Sequence, residues 1–339
     1  MDKKIIGITG ALLLSLSVFT LAKQTGVKEP AVAEKSSTQM LESKTREYRR
    51  IVVVSDLHYP SKTRTEPERQ KIIEHKKQAL EEINTWKDVD LLAFTGDVVQ
   101  RTGNKVEYKE AKEFTDGFLA PKAFIPGNHA FMFASKLVNG KAVRASLEER
   151  ERKLKRFETT FGLERLYYAQ EMSGYYLVFL SPQVASGNYP TELSKEELKW
   201  FKETLEEHKN MPTICFFHAP LKGSLENYNK NINKDYYVAH PVKELEKILS
   251  ANPQVMLWVS GHTHTKATNA SFAAPVNKIG SVVDIHNPSW ESKTIWTNSL
   301  YLYPDRIVVR TYNHDKHQFV EKLDRTFYIK QEQEQEKAA

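Results

Sequence analysis

Short apolar runs alternate along most of the chain with longer stretches in which apolar residues recur every three to four positions. The runs at 51–54, 91–94, 123–125, 175–180, 214–217 and 255–259 are brief and rich in β-branched or aromatic residues, so each predicts a buried strand. Between them, Ile72, Ile73, Ala79, Leu80, Ile83 and Trp86 keep helical spacing and predict a helix over 66–86. Residues 147–158 and 242–249 predict two more. Ser194 and Glu197 form a capping box, and Leu193 with Leu198 the matching hydrophobic staple, so another helix starts at 195. The stretch 300–329 is rich in β-formers broken by turn residues and predicts closing antiparallel strands, while 331–339 (QEQEQEKAA) reads as a disordered tail. No internal repeat is visible. This alternation over 49–330 predicts an α/β domain with a largely buried sheet.

The first 48 residues follow another pattern. Lys3 and Lys4 precede an uncharged apolar stretch over 5–22, and residues 23–48 are polar with little periodicity. Residues 1–22 therefore read as a signal peptide or N-terminal membrane anchor, and 23–48 as a polar linker. With the lysines held in the cytoplasm, the rest of the chain is expected outside it, secreted or anchored to the cell membrane. No cysteine lies near this segment, which rules out a lipid-modified cysteine.

Composition narrows the picture only slightly. The 339 residues are 40% hydrophobic and 27% charged, an ordinary globular mixture. The net charge of +6 comes from 49 basic and 43 acidic residues without a dense Lys/Arg block, so no nucleic acid is expected as a structural partner. The single cysteine, Cys215, sits inside an apolar run, which excludes an internal disulfide and a thiolate zinc site and places it in the core.

Candidate chemistry gathers where five of the apolar runs end. These ends carry Ser55-Asp56-Leu57-His58, Gly96-Asp97, Gly127-Asn128-His129, His218-Ala219-Pro220 and Gly261-His262-Thr263-His264. Ligand sites of open α/β sheets lie at the carboxyl ends of strands. Singly, an Asp or His there is more often a turn former. Five such ends in one sheet make a metal site the better reading. Asp56 and His58 are two apart, as are His262 and His264, and on a strand such pairs share a face. The donors are oxygen and nitrogen, suited to Mn, Fe, Zn, Co or Ni, and seven are too many for one tetrahedral ion. Two ions sharing a carboxylate suit them better, and such a pair hydrolyses phosphate esters without a protein nucleophile. Neither a nucleophile elbow nor a phosphate-binding P-loop is present. His75 and His208, within charged helical stretches, read as surface residues.

The ordered set Asp56-x-His58, Gly96-Asp97, Gly127-Asn128-His129, His218 and Gly261-His262-x-His264 resembles the calcineurin-like metallophosphoesterase superfamily. The resemblance implies a four-layer α/β/β/α sandwich with two mixed sheets. It implies that Asp56, His58, Asp97 and His264 bind one metal, and that Asp97 (bridging), Asn128, His218 and His262 bind the other. His129 would contact the phosphate and assist the leaving group, with a metal-bridging hydroxide as nucleophile and Mn, Fe or Zn as the ions. Two positions depart from family patterns. Gln100 stands where purple acid phosphatases carry tyrosine, which argues against a tyrosinate–iron site, and Ala130 follows Gly-Asn-His where many members have an acidic residue.

The expected function is metal-dependent hydrolysis of a small-molecule or polymeric phosphate ester, leaning to phosphodiesters. The alternatives are a phosphomonoesterase or nucleotide pyrophosphatase, and a non-catalytic surface-binding protein on the same scaffold. Arg101, His286, Asn287 and Trp290 could bind phosphate or stack on substrate, or simply build loops. The stretch 131–172 could cap the site or form a solvated wall.

Overall fold

A computed structural model describes residues 46–63, 65–226 and 232–329. The expected signal or anchor, most of the linker and the tail lie outside the described residues. The linker's last three residues do not hang free: Arg46 bonds the Asp88 carbonyl and the Asp90 carboxylate, and the Tyr48 hydroxyl bonds Asp88.

The first sheet begins with β1 (Arg49–Val54), followed by β2 (Val89–Thr95) and β3 (Lys122–Ile125), all parallel. On the other side of β1 the chain's later strands add antiparallel: β10 (Trp296–Leu302), then β11 (Arg306–Asn313), with β12 (Gln318–Phe319) and β13 (Arg325–Tyr328) on β11. The second sheet has order β4-β5-β6-β7-β9-β8. Its members are β4 (Tyr168–Met172), β5 (Tyr175–Phe179), β6 (Thr213–Phe216), β7 (Val255–Ser260), β8 (Lys278–Ile279) and β9 (Val282–His286). Strands β5, β6, β7 and β9 are parallel, while β4 and β8 pair antiparallel at the edges.

Side-chain parity stacks the two sheets. Ile51 and Val53 of β1, with Leu91, Ala93, Ala123 and Ile125, share one core with Leu177, Phe179, Ile214, Phe216, Leu257 and Val259 of the second sheet. The alternate residues Val52, Val54, Leu92, Phe94 and Phe124 face the other way, against helices. Those helices are α1 (Glu66–Thr85), α2 (Lys105–Asp116) and α4 (Leu147–Phe161). On the second sheet's outer face, α5 (Lys195–Glu207) and α6 (Val242–Ala251) pack with Phe201, Leu205, Leu245 and Ile248 against Val178, Cys215 and Trp258. The result is the α/β/β/α sandwich with two mixed sheets.

Local signals account for most boundaries. Ser194 caps α5 by accepting from the Glu197 amide, as the capping box requires. Helix α2 and strands β4, β8 and β9 escaped the sequence reading. Asn104 caps α2 through the Val106 and Glu107 amides, and Tyr108, Ala111, Phe114 and Thr115 are buried at helical spacing, so that signal was present. Strand β4 is a half-buried edge without clear alternation; it is held by β5 through the two-residue turn Ser173-Gly174, with φ of 49° and 83°. Strand β10 starts at Trp296, ahead of the expected 300.

Candidate metal centre

The five donor-bearing ends meet, but they come from two sheets and not one. Strands β1, β2 and β3 deliver Asp56 with His58, Asp97, and Asn128 with His129, the last pair on the short helix α3 (Asn128–Phe131). Strands β6 and β7 deliver His218, and His262 with His264. Both sheets present carboxyl ends at the same edge of the sandwich, so neither contains the site alone.

The pleat argument for the paired donors fails at the backbone. Asp56, His58, Asp97, His262 and His264 have φ of 49°, 44°, 48°, 64° and 52°, in the left-handed region that non-glycine residues rarely adopt. The chain has already left the strand, and turns aim these side chains. Each such conformation costs roughly 1–3 kcal/mol and persists because its surroundings impose it. Here main-chain bonds do so: the His58 amide donates to the Asp97 carbonyl at 2.8 Å and the Gly261 amide to the His218 carbonyl at 2.9 Å.

Each aspartate spends one oxygen on the protein and turns the other inward. Asp56 Oδ2 accepts from the Ser55 hydroxyl at 2.6 Å and the His262 amide at 2.9 Å. Asp56 Oδ1 is buried without a hydrogen-bond partner, 3.2 Å from His264 Nε2. Asp97 Oδ1 accepts from the His129 amide at 2.8 Å, while Oδ2 lies 3.7 Å from His58 Nε2 and 3.3 Å from His218 Nε2. One carboxylate oxygen thus lies between two donor sets.

In the first set, His58 Nε2 is 3.2 Å from His264 Nε2 and 4.0 Å from Asp56 Oδ1. In the second, His218 Nε2 is 3.0 Å from Asn128 Oδ1 and 3.1 Å from His262 Nδ1. Carbonyl partners fix the tautomers there. His218 Nδ1 donates to Thr95 O and His262 Nε2 to Tyr236 O, so His262 Nδ1 faces inward with a lone pair, as does His218 Nε2 once a cation displaces the proton it otherwise holds. Two ring nitrogens, an amide oxygen and a carboxylate oxygen then converge as acceptors, which a cation satisfies. Burial opposes charge on His218, but the Asp97 and Asp56 carboxylates outweigh it and lift its pKa to about 9. Burial, reinforced by the charge on His218, pulls His262 down to about 4. The residues therefore fit two ions, with Asp56, His58 and His264 grouped on one side and Asp97, His218 and His262 on the other.

Two glycines make room for this packing. A Cβ on Gly127 would stand 2.2 Å from Asp97 Oδ1, and one on Gly261 would stand 2.0 Å from Ser55 Oγ and 2.4 Å from Asp56 Oδ2. Close approach to the donors, and not the local turn alone, is what these positions require.

His129 stands beside both sets. Its Nδ1 donates to the Arg101 carbonyl at 2.6 Å, which turns Nε2 toward the cavity. Burial is the main reason its pKa falls to about 4. The cavity holds about 440 Å³ and adds Lys62, Tyr236 and Tyr237, which sequence patterns did not point to. Lys62 Nζ is 3.0 Å from His58 Nε2, and its place four residues past His58 was the only hint.

The other residues singled out lie elsewhere. His286 and Asn287 are buried behind the His262 turn, bonding Ser224 O and Ser260 O respectively, and Trp290 is buried in the helix-side core, so none of them can stack on substrate. Arg101 lines a neighbouring hollow, whose wall also takes Ser135 and Leu137 from the 131–172 stretch. His75 and His208 are half-buried, and His208 stacks on Tyr176 at 3.8 Å.

A four-layer sandwich whose two sheets pool Asp, His and Asn donors around a shared carboxylate belongs to the class of dinuclear metallohydrolases. Residues 49–266 match the calcineurin-like phosphoesterase family model, and the chain belongs to that family. Among solved structures it is similar to a dimetal phosphatase from Danio rerio, at 14% identity and a TM-score of 0.55, over 83% of this chain and 98% of that one. It is also similar to a Thermus thermophilus protein at 14% identity and a TM-score of 0.41, over 83% and 99%. No curated protein matches it. The chain is thus a metal-dependent phosphoric ester hydrolase, and its family implies a dinuclear centre. Among the described residues, no helix is long and apolar enough to cross a membrane.

Proposed function

We propose that the centre cleaves phosphodiesters, with Asp56, His58, Asp97 and His264 holding one ion and Asp97, Asn128, His218 and His262 the other. The observation that carries this is Asp97 Oδ2, placed within 3.7 Å of His58 Nε2 and 3.3 Å of His218 Nε2. When bound, two such ions lower the pKa of a shared water and stabilise the oxygens of an in-line displacement. The protein's own groups do the rest. Asp97 and Asp56 stay ionised, because their histidine neighbours outweigh burial. Lys62 offers a cationic donor to a non-bridging phosphoryl oxygen. His129, held at Nδ1 by Arg101 O, presents Nε2 to the substrate, and burial keeps that nitrogen unprotonated without a ligand. In the imidazolium form that a bound phosphate's negative charge would favour, it would give the Nε2 proton to the leaving oxygen as the P–O bond breaks.

The diester preference is supported by the room on both sides of Lys62. One ester arm fits the cavity walled by Tyr236 and Tyr237, and the other fits the hollow beyond Lys62, which lines both spaces. A monoester would leave one side unused. Bis(p-nitrophenyl) phosphate and p-nitrophenyl phosphate, assayed with Mn²⁺, Fe²⁺ and Zn²⁺, test this directly: the diester should turn over faster, and a much faster monoester overturns the preference. An Asp97→Ala or His218→Ala chain should lose at least about a hundredfold in kcat, as expected when one of several cooperating groups is removed. Retained activity in either variant defeats the assignment of these ligands.

The same reading sets the enzyme outside the cytoplasm, secreted or held at the cell membrane, on the strength of Lys3 and Lys4 before the uncharged stretch 5–22. Fractionation of cells producing the full chain, with N-terminal sequencing of the product, tests that placement.

A further inference from the structure

We propose that the hairpin over 135–144 is a membrane-contact element, whose apolar tip enters an anionic lipid surface while its basic residues meet the head groups. This goes beyond the hydrolytic reading and does not depend on it. It concerns where the mouth of the cavity is held, and not what is cleaved there.

After Phe131 the chain leaves the sandwich as a narrow hairpin and returns at Leu147, the start of α4. Antiparallel bridges join Phe133 to Arg144 and Val138 to Lys141. Its arms are held by a main-chain bond of 2.8 Å from Ala134 N to Val143 O and by a reciprocal pair of 2.9 Å between Val138 and Lys141. Asn139 and Gly140 turn the tip at φ of 49° and 70°, the left-handed pair that a tight two-residue turn requires. The base is fixed beside the metal centre. The Phe133 ring lies 4.8 Å from that of His129, and Glu149 accepts from the Ser135 amide and hydroxyl.

This stem carries apolar side chains into solvent. Leu137 and Val138 are 40% and 53% exposed, and Leu147 at the base is exposed too: three of the seven large apolar side chains exposed among the described residues. Lys136, Lys141 and Arg144 are exposed around them, and no Asp or Glu occurs from 131 to 147. The acids that follow are engaged, Glu148 with Arg152 and Glu149 with Ser135 and Lys153. Near Arg144, Arg150 keeps Nε and Nη1 buried without an acceptor, which adds to the positive field. An apolar tip ringed by cations suits the boundary of a bilayer, since the apolar groups gain by leaving water and the cations gain near anionic head groups. A protein partner would need a groove shaped to this projecting tip, whereas a fluid lipid surface conforms to it. Leu137 also lines the hollow that meets the metal cavity at Lys62, so a seated tip brings the mouth of the site to the lipid boundary.

The single cysteine, Cys215, is buried, so in the full chain Val138→Cys can be labelled alone with a polarity-sensitive dye. Leu119→Cys gives the control: that side chain is 77% exposed, just ahead of β3 and so at the edge away from the donors. With vesicles of phosphatidylglycerol and phosphatidylcholine, the emission at 138 should move to the blue and the emission at 119 should stay. Phosphatidylcholine alone should move neither. Adding Lys136→Gln and Lys141→Gln should weaken insertion about twentyfold, from roughly fivefold for each charge lost near a lipid surface. No shift at 138 overturns the proposal, and so does a shift that ignores both lipid charge and the lysine changes. Equal shifts at 138 and 119 would assign the contact to the expected anchor alone. A shift that arises without vesicles as the protein is concentrated would give the tip to a second copy. Either result also overturns it.

Discussion

Asp97 shows how much one residue can decide. Its two oxygens divide between the His129 amide and the space between His58 and His218, and no other carboxylate among the described residues lies between both donor sets. The identities of the donors were legible in the sequence, because residue type and order survive without coordinates. Their conformation was not. Spacing by two suggested a shared strand face, whereas left-handed turns split His262 and His264 between two donor sets. Nothing in a one-letter code marks a histidine at positive φ. The glycines beside them are the nearest signal, and Gly261 gives a direct test. Gly261→Ala would drive a methyl into Ser55 Oγ and Asp56 Oδ2. We expect a folded chain destabilised by about 1–3 kcal/mol, the usual penalty for overpacking, with metal affinity reduced further. Denaturant melts and a metal titration on the same preparation check both parts.

At the scale of elements, the loop between β1 and α1 carries most of what the sequence concealed. It bears His58 and Lys62, and it is pinned from below by the buried pair Lys76 and Glu291, 2.7 Å apart. Lys76 occupies a core-facing position on α1, in the stripe Ile72, Lys76, Ala79, Ile83, where a period-based reading expects an apolar residue. Glu291 explains the exception: its Oε1 accepts from the Ser61 hydroxyl and the Lys62 and Thr63 amides, while Lys76 also donates to Pro60 O. Glu291→Ala would leave a buried ammonium unpaired and should cost about 3–5 kcal/mol. The double change Lys76→Met with Glu291→Leu should regain most of that stability in urea melts. Activity should stay low in both, because the loop has lost its acceptor. The strands were easier to see, since buried parallel strands are continuous apolar runs bounded by turns. The half-exposed edge β4 lacked that signal.

For the molecule as a whole, two sheets and two outer helix layers bury a carboxyl that is not among the donors. Burial pushes Glu197 up to about 8 from an ordinary 4.5, outweighing the Ser181 amide and Gln183 that favour its charged form. Between those values the folded chain keeps a proton that the unfolded chain has released, so stability falls as pH rises through that window, by at most about 1.4 kcal/mol per unit. Glu197→Gln should flatten this slope in melts run near each end of the window. Metal should act on the whole fold in the opposite sense. A ligand at a hundred times its Kd adds about 2.7 kcal/mol to stability, so chelation should lower Tm for the native chain and leave an Asp97→Ala chain nearly unmoved. The layered architecture was expected from family resemblance. Periodicity alone predicted a single sheet, because parity along each strand does not say how many sheets the strands join.

The seam between the sheets has a consequence for how the enzyme comes into being. The seven proposed ligand positions have all been made by residue 264, yet β1, which positions Asp56, gains its antiparallel neighbour only when 296–302 follows. The polypeptide runs through the first sheet, crosses to build the second, and returns to complete the first. Early donors therefore wait for late strands. Ion capture should therefore follow the finish of synthesis rather than its middle, and a truncated product ending near residue 290 would hold every proposed ligand and still lack the frame that gathers them.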